Sequence, residues 1–214
     1  MSTGRGLAAD PAAQPAQTAH VVNVANGLTL LRLLLVPVFV VLLFADGGHS
    51  PWWRTWAFVA FAVATVTDLV DGDLARSRGL VTDVGKVADP IADKALTGAA
   101  LIGLSVLGDL AWWVTIVVLV REVGVTALRF FVIRHGVIPA SRGGKVKTLL
   151  QNVAIGLYIL PLRDWAATAR WWVMLAAVVV TVATGADYVA RAVRLRRTSA
   201  RAAMKRARRE AAAP

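Results

Sequence analysis

Long apolar stretches separated by short polar breaks dominate the chain, and they predict a helical architecture. Six such stretches cover approximately residues 27–45, 51–74, 84–107, 111–133, 147–162 and 168–193. The breaks between them are rich in Gly, Pro, Asp and Ser, which are typical of turns. Most stretches approach the roughly 20 residues that a helix needs to cross a bilayer. We therefore predict an all-α integral membrane protein, with six transmembrane helices in one bundle.

Composition supports a membrane protein over a soluble one. Of the 214 residues, 57% are hydrophobic and 17% charged, with a mean hydropathy of +0.61, whereas soluble domains average about 25% charged residues. Cysteine is absent, which excludes disulfides and thiolate metal sites. Residues 1–20, rich in Ala, Pro and Gln, are predicted to be a disordered tail. The membrane domain is expected to span residues 21–193.

The formal net charge of +11 is concentrated near the C-terminus, where nine Lys and Arg residues lie between Arg191 and Arg209. A basic run directly after an apolar helix is typical of a cytoplasmic segment that contacts anionic lipid headgroups. No aromatic residues alternate with these charges to stack on bases, which argues against nucleic acid as a partner. Residues 194–214 are therefore predicted to form a basic cytoplasmic tail beside membrane lipids.

The distribution of Lys, Arg and Trp predicts the orientation. Basic residues fall in the second and fourth connections and in the tail, and the first and third connections contain none. Counting positive charges places both termini of this multi-pass protein in the cytoplasm. Tryptophans gather at the opposite helix ends, where an aromatic belt is expected: Trp52, Trp53, Trp112, Trp113, Trp165, Trp171 and Trp172.

Two apolar runs are too short to span the membrane by themselves. Residues 95–108 would form only roughly 21 Å of helix, and residues 55–67 are similarly short before Asp68. Both helices must therefore carry acidic residues into the cytoplasmic half of the bilayer. Ionisable groups at that depth nearly always line a cavity or pair with another charge. We expect a polar cavity that faces the cytoplasm.

Four aspartates flank one short connection. Asp68 and Asp71 are three residues apart, and Asp89 and Asp93 are four apart, so each pair shares a helix face. The short segment between the two helices favours antiparallel neighbours, which would bring the four carboxylates together. A divalent cation would offset their repulsion, and oxygen ligands favour Mg²⁺, Mn²⁺ or Ca²⁺ over zinc.

This segment resembles the CDP-alcohol phosphatidyltransferase family, whose signature is D-x2-D-G-x2-A-R-x8-G-x3-D-x3-D. All eight fixed positions are matched without a gap: Asp68, Asp71, Gly72, Ala75, Arg76, Gly85, Asp89 and Asp93. The resemblance extends over residues 23–187 and implies a six-helix bundle, often dimeric. It implies that one or two Mg²⁺ or Mn²⁺ ions bind the four aspartates. The expected donor is CDP-diacylglycerol, contacted by Asn26, Thr29, Gly72, Arg76 and Thr82, with Asp93 as the general base.

The acceptor is indicated by a different segment. Ser141, Lys145 and Lys147 lie in a Gly-Gly-Lys-x-Lys-Thr run that opens a helix, and Arg121 belongs to the same leaflet. Backbone N–H groups and these charges would suit a phosphate, although loop lysines are also ordinary topology markers.

The patterns R-E-x-x-V-x-x-L-R and P-A-S-x-x-G-K-x-K-T resemble the branch of the family that uses glycerol 3-phosphate. This resemblance implies phosphatidylglycerol phosphate and CMP as products. Inositol phosphate, or phosphatidylglycerol in cardiolipin formation, stays open as an alternative acceptor, and a cation transporter is a more distant possibility.

Overall fold

The computed structural model describes residues 24–78, 83–132 and 142–198, together with Met204. Within these residues the chain forms six α-helices and no strand, which confirms the predicted all-α class. Their bounds are α1 Val24–Phe44, α2 Pro51–Arg78, α3 Asp83–Val106, α4 Trp112–Val132, α5 Arg142–Ile159 and α6 Asp164–Thr198.

The helices extend beyond the apolar stretches that predicted them, mainly at the basic end. Helix α2 continues to Arg78 and α5 begins at Arg142, whereas the apolar pattern ends at 74 and begins at 147. Arg, Lys and Ala are good helix formers, so the backbone remains helical after hydrophobicity is lost. Helix α5 ends at Ile159, shortly before Pro161, because a proline disfavours helical geometry in the residue before it.

Close helix packing depends on glycines where large side chains cross. A Cβ atom on Gly103 of α3 would lie 2.7 Å from Leu43 Cδ2 of α1, and one on Gly156 would lie 3.1 Å from Phe58 Cε2 of α2. Small residues allow such approaches between membrane helices, whose association depends on van der Waals contact. Helix α1 packs on α2 and α3, and α6 packs on α4 and α5. Contacts of α5 with α2 and α3 connect these two groups.

Large apolar side chains are exposed on all six helices, and tryptophans mark one end of the bundle. Two regions are long and apolar enough to cross a membrane by length and composition, Gly27–Gly48 and Asp164–Leu195, among the residues that the structure describes. Charged residues interrupt the apolar character of α2 to α5. Tryptophans at the starts of α2, α4 and α6 are exposed, among them Trp52, Trp112 and Trp165.

A buried arginine joins three elements at this tryptophan-rich end. Arg54, only 4% exposed, donates from Nε to the Ile159 carbonyl at 2.9 Å and from Nη2 to the Tyr158 carbonyl at 2.8 Å. Its Nη2 also lies 2.8 Å from Asp109 Oδ2 in the turn between α3 and α4. The last carbonyls of a helix have no partner within it, so Arg54 caps α5 while it neutralises Asp109. Sequence reasoning assigned Arg54 no role.

We expect Arg54→Met to destabilise the protein by about 3 kcal/mol, because it leaves Asp109 and two helix-end carbonyls without a partner. This corresponds to roughly 6–12 °C in the thermal unfolding midpoint of the detergent-solubilised protein. Arg191→Met is the matched control, since Arg191 forms an exposed ion pair with Asp187 one helical turn away. The control should change stability by at most about 0.5 kcal/mol. Equal midpoints for the two variants would contradict the capping role.

Candidate active site

Charged side chains meet at one level of the bundle, well inside the ends of the helices. Asp68 lies about ten residues before the end of α2, and Asp93 about ten residues after the start of α3, or roughly 15 Å of helix in each case. Only four residues separate the end of α2 from the start of α3 in the sequence, so these two helix ends lie close together. Asp68 and Asp93 are therefore at similar depths from the same end of the bundle. We call the level formed by Arg32, Asp68, Asp93, Arg121, Glu122 and Lys147 the polar layer.

Asp68 is paired with an arginine from α1. Arg32 Nη1 lies 2.6 Å from Asp68 Oδ1, with the arginine side chain 1% exposed and the aspartate 37% exposed. Thr29, a predicted donor ligand, is buried one turn before Arg32. Sequence reasoning gave Arg32 no role, although it is the sole charged residue in the sequence of α1. A lone charge in such an apolar helix is itself a signal that a partner exists.

Asp93 lies among charges from several helices. It is close enough to interact electrostatically with the like charges of Asp68 and Glu122, and with the opposite charges of Lys147 and Arg32. Asp93 is partly buried on α3. The structure therefore brings the predicted base near one predicted metal ligand and near one predicted phosphate ligand.

Glu122 contacts two of the three described cations of the predicted acceptor site. Lys147 Nζ of α5 donates a hydrogen bond to Glu122 Oε1, and Arg121 Nη1 lies 3.3 Å from the same oxygen. Lys147 is 5% exposed. The sequence analysis did not predict the contact between Glu122 and Lys147.

Arg121 is also held by α6. Its Nε lies 3.3 Å from the Thr181 carbonyl, and its Nη2 lies 3.3 Å from Thr184 Oγ1. Gly185 makes room for this arrangement, because a Cβ atom there would lie 3.1 Å from Arg121 Cγ. These α6 residues carry no charge and match no motif in the sequence analysis, so only the packed helices reveal them. The guanidinium is therefore oriented by two helices.

The other predicted site residues fall into three groups: one is exposed, two lie outside the described residues, and the rest lie on described helices. Lys145 is exposed at the start of α5, in contrast to Lys147 two residues later. Thr82 and Ser141 lie outside the described residues. The remaining predicted ligands lie on described helices, and their side chains are outside what the structure describes: Asn26, Asp71, Gly72, Arg76 and Asp89.

The carboxylate oxygens of the aspartates suit a hard divalent cation as ligands. Among the described residues, no group of three acidic, histidine or cysteine side chains is found. Asp68 and Asp93 supply carboxylate oxygens near each other, and their like charges interact unfavourably. Asp71 and Asp89 follow and precede them by about one helical turn. Carboxylates at this spacing fit Mg²⁺ or Mn²⁺ better than a softer metal.

The sequence is similar to known proteins over the region that contains the aspartates and the polar layer. A family model described as CDP-alcohol phosphatidyltransferase matches residues 22–183. A Mycobacterium tuberculosis protein named probable phosphatidylglycerophosphate synthase is 58% identical over 181 residues, covering 85% of this chain and 87% of its own length. A Bacillus subtilis protein named CDP-diacylglycerol–glycerol-3-phosphate 3-phosphatidyltransferase is 39% identical over 184 residues, covering 78% of this chain and 93% of its own.

A third relative has a different name. It is a Streptomyces coelicolor protein named cardiolipin synthase (CMP-forming), 32% identical over 174 residues, covering 73% of this chain and 81% of its own length. The family match spans most of the chain and includes the whole aspartate signature. The chain therefore belongs to the CDP-alcohol phosphatidyltransferase family.

Proposed function

We propose that this protein transfers the phosphatidyl group of CDP-diacylglycerol to glycerol 3-phosphate, releasing CMP and phosphatidylglycerol phosphate. The observation that carries the proposal is the contact of Arg121 and Lys147 with one carboxylate, close to Asp93. A buried lysine and a partly buried arginine beside a candidate base suit an acceptor that carries both a phosphate and a hydroxyl. The names of the Mycobacterium and Bacillus relatives support the same reaction.

The proposed setting is the bacterial plasma membrane, crossed by all six helices. Exposed apolar side chains on α2 to α5, among them Val63, Ile102, Val120 and Val153, support this arrangement because such surfaces are unfavourable in water. The basic residues of the second and fourth connections and the tail favour cytoplasmic termini and a polar cavity open to the cytoplasm. From the family resemblance we also infer a homodimer.

On the donor side, Asp68, Asp71, Asp89 and Asp93 would hold one or two Mg²⁺ or Mn²⁺ ions. When bound, these ions neutralise the pyrophosphate and the charge that develops on the leaving group. Gly72, Arg76 and Thr82, with Asn26 and Thr29 from α1, would contact CDP-diacylglycerol. A site at this depth allows the donor's acyl chains to remain in lipid while its pyrophosphate reaches the aspartates.

On the acceptor side, Arg121 and Lys147 would bind the phosphate of glycerol 3-phosphate, together with Ser141 and Lys145. Asp93 then removes the proton from the free primary hydroxyl. The hydroxyl oxygen forms a bond to the β-phosphorus of the donor, and the bond from that phosphorus to the oxygen bridging it to the α-phosphate breaks. CMP leaves with the bridging oxygen. A positioned base contributes about 10²–10⁴-fold to such a step.

Phosphatidylglycerol is the second candidate acceptor, because the Streptomyces relative carries the name of a CMP-forming cardiolipin synthase. Its headgroup phosphate is a diester with a single charge, whereas a phosphate monoester carries about −1.5 to −2 at neutral pH. The Arg121 and Lys147 pair suits the more highly charged monoester. Inositol phosphate is also a phosphate monoester, so the charge of the site does not distinguish it from glycerol 3-phosphate. An assay with both acceptors does.

We expect the purified protein to release CMP from CDP-diacylglycerol when glycerol 3-phosphate and Mg²⁺ or Mn²⁺ are present, and not after chelation. Parallel reactions with inositol phosphate, serine and phosphatidylglycerol compare the acceptors directly. Faster CMP release with any of these would overturn the acceptor assignment. Ion flux in liposomes without any CMP formation would instead favour a transporter.

We expect Asp93→Asn to lower kcat by about 10²–10⁴-fold, because the amide cannot accept the proton from the attacking hydroxyl. Donor binding, measured with labelled CDP-diacylglycerol, should be largely retained. Asp187→Asn is a matched control, since Asp187 is exposed and pairs only locally with Arg191 on α6. Full activity of Asp93→Asn would exclude Asp93 as the base.

We expect Lys147→Met to raise the KM for glycerol 3-phosphate by about 10–100-fold, because it removes a buried charge-assisted hydrogen bond to phosphate. Lys145→Met should raise this KM by less than about 5-fold, since an exposed charge is screened by solvent. The KM for CDP-diacylglycerol should change little in either variant. A larger effect of Lys145→Met would show that the buried lysine is structural.

A further inference from the structure

Gln151 is a buried polar residue to which the proposed reaction assigns no role. It is 3% exposed, and its Oε1 has no hydrogen-bond partner within the part of the chain that the structure describes. It lies four residues after Lys147 on α5, and both residues belong to the buried face of that helix. The amide oxygen of Gln151 is therefore buried beside the proposed phosphate site, with no hydrogen-bond partner among the described residues.

An unpartnered buried amide is costly, which makes its position informative. A buried polar atom that loses its hydrogen bond costs about 1–3 kcal/mol, and such atoms in native structures call for an explanation. Thr181 Oγ1 on α6 is also buried and unpartnered, but a threonine hydroxyl can rotate toward a carbonyl of its own helix. The carbonyl oxygen of Gln151 has no such local alternative, so a bound molecule is its natural partner.

Gln151 lies on a helix that contacts the helix of the proposed base. Gln151 lies about nine residues after the start of α5, and Asp93 about ten residues after the start of α3, so each is roughly 15 Å along its helix. Helices α3 and α5 run in the same direction through the alternating bundle and contact each other. Lys147, one turn nearer the start of α5, is within electrostatic range of Asp93.

We propose that Gln151 determines acceptor specificity by accepting a hydrogen bond, through Oε1, from the non-reacting hydroxyl of the alcohol. The inference rests on the proposed function and deepens it. In glycerol 3-phosphate the middle hydroxyl lies between the phosphate and the attacking hydroxyl. A residue that recognises it must therefore adjoin both the phosphate ligands and the base. Gln151 meets this requirement, being one helical turn from Lys147 and on a helix that contacts the helix of Asp93.

The test compares two acceptors in two proteins. The acceptors are glycerol 3-phosphate and 3-hydroxypropyl phosphate, which lacks only the middle hydroxyl, and the proteins are the full chain and Gln151→Met. The unaltered protein should favour glycerol 3-phosphate in kcat/KM by about 10–100-fold, the effect of losing one partner of a buried hydrogen bond. Gln151→Met should lose about that factor with glycerol 3-phosphate and change less than about 3-fold with the analogue.

Stability measurements separate this role from a structural one. Gln151→Met removes an unpartnered amide, so the unfolding midpoint in detergent should be unchanged or higher. Thr115→Val is the matched control, because Thr115 forms a buried 2.7 Å hydrogen bond with Ser105 away from the polar layer. This control should lower the midpoint and leave the ratio between the two acceptors unchanged. Gln151→Leu provides a second apolar replacement if the methionine variant folds poorly.

The outcomes distinguish the two proposals. If the unaltered protein releases no CMP with glycerol 3-phosphate, the proposed function fails and this inference fails with it. If the unaltered protein is active but both Gln151 variants lose activity equally with the two acceptors, only the specificity role is overturned. Full retention of the preference for glycerol 3-phosphate in either variant would overturn it as well.

Discussion

Pairing of charges inside an apolar bundle is the constraint on which the rest of this structure depends. An isolated charge costs several kcal/mol in such surroundings, so the described buried charges are found with partners. Arg32 meets Asp68, Lys147 and Arg121 share Glu122, and Arg54 joins Asp109. Except for Arg121 and Glu122, which are neighbours on α4, each pair connects separate helices or turns. The same contacts that neutralise charge therefore also determine which helices are neighbours.

This constraint also prepares the bundle for charged substrates. The free-energy cost of removing Asp68 and Lys147 from water is largely offset when the protein folds, because each of them lies beside an opposite charge. Cation binding at the aspartates and phosphate binding at the lysine would then exchange one ionic partner for another. Exchange within a buried site requires less free energy than removing bare charges from water. Gln151 differs from these residues, since its side-chain oxygen has no hydrogen-bond partner to exchange within the described part of the chain.

Sequence reasoning predicted the helices well because their apolar stretches are long and interrupted by turn residues. Local spacing also predicted a cluster of four aspartates, because residues three or four apart share one helix face, and the structure brings two of them, Asp68 and Asp93, near each other. The contacts of Arg32, Arg54 and Gln151 were not predicted. Each depends on how one helix is rotated toward residues distant in the chain, and a nearly uniform apolar surface leaves that rotation undetermined. Only side-chain packing, as at Gly185 against Arg121, specifies it.

The division of the site among helices explains how one signature can serve different alcohols. The donor aspartates belong to α2 and α3, whose local spacing is set by the signature itself. The proposed acceptor contacts come from α4, α5 and α6, where Arg121, Glu122 and Lys147 meet through packing. Substitutions on these three helices can alter the alcohol without disturbing the aspartates. A glycerol-3-phosphate 3-phosphatidyltransferase and a cardiolipin synthase, by their names, both align with most of this chain. On the proposed arrangement, the residues that distinguish the alcohols belong to α4, α5 and α6.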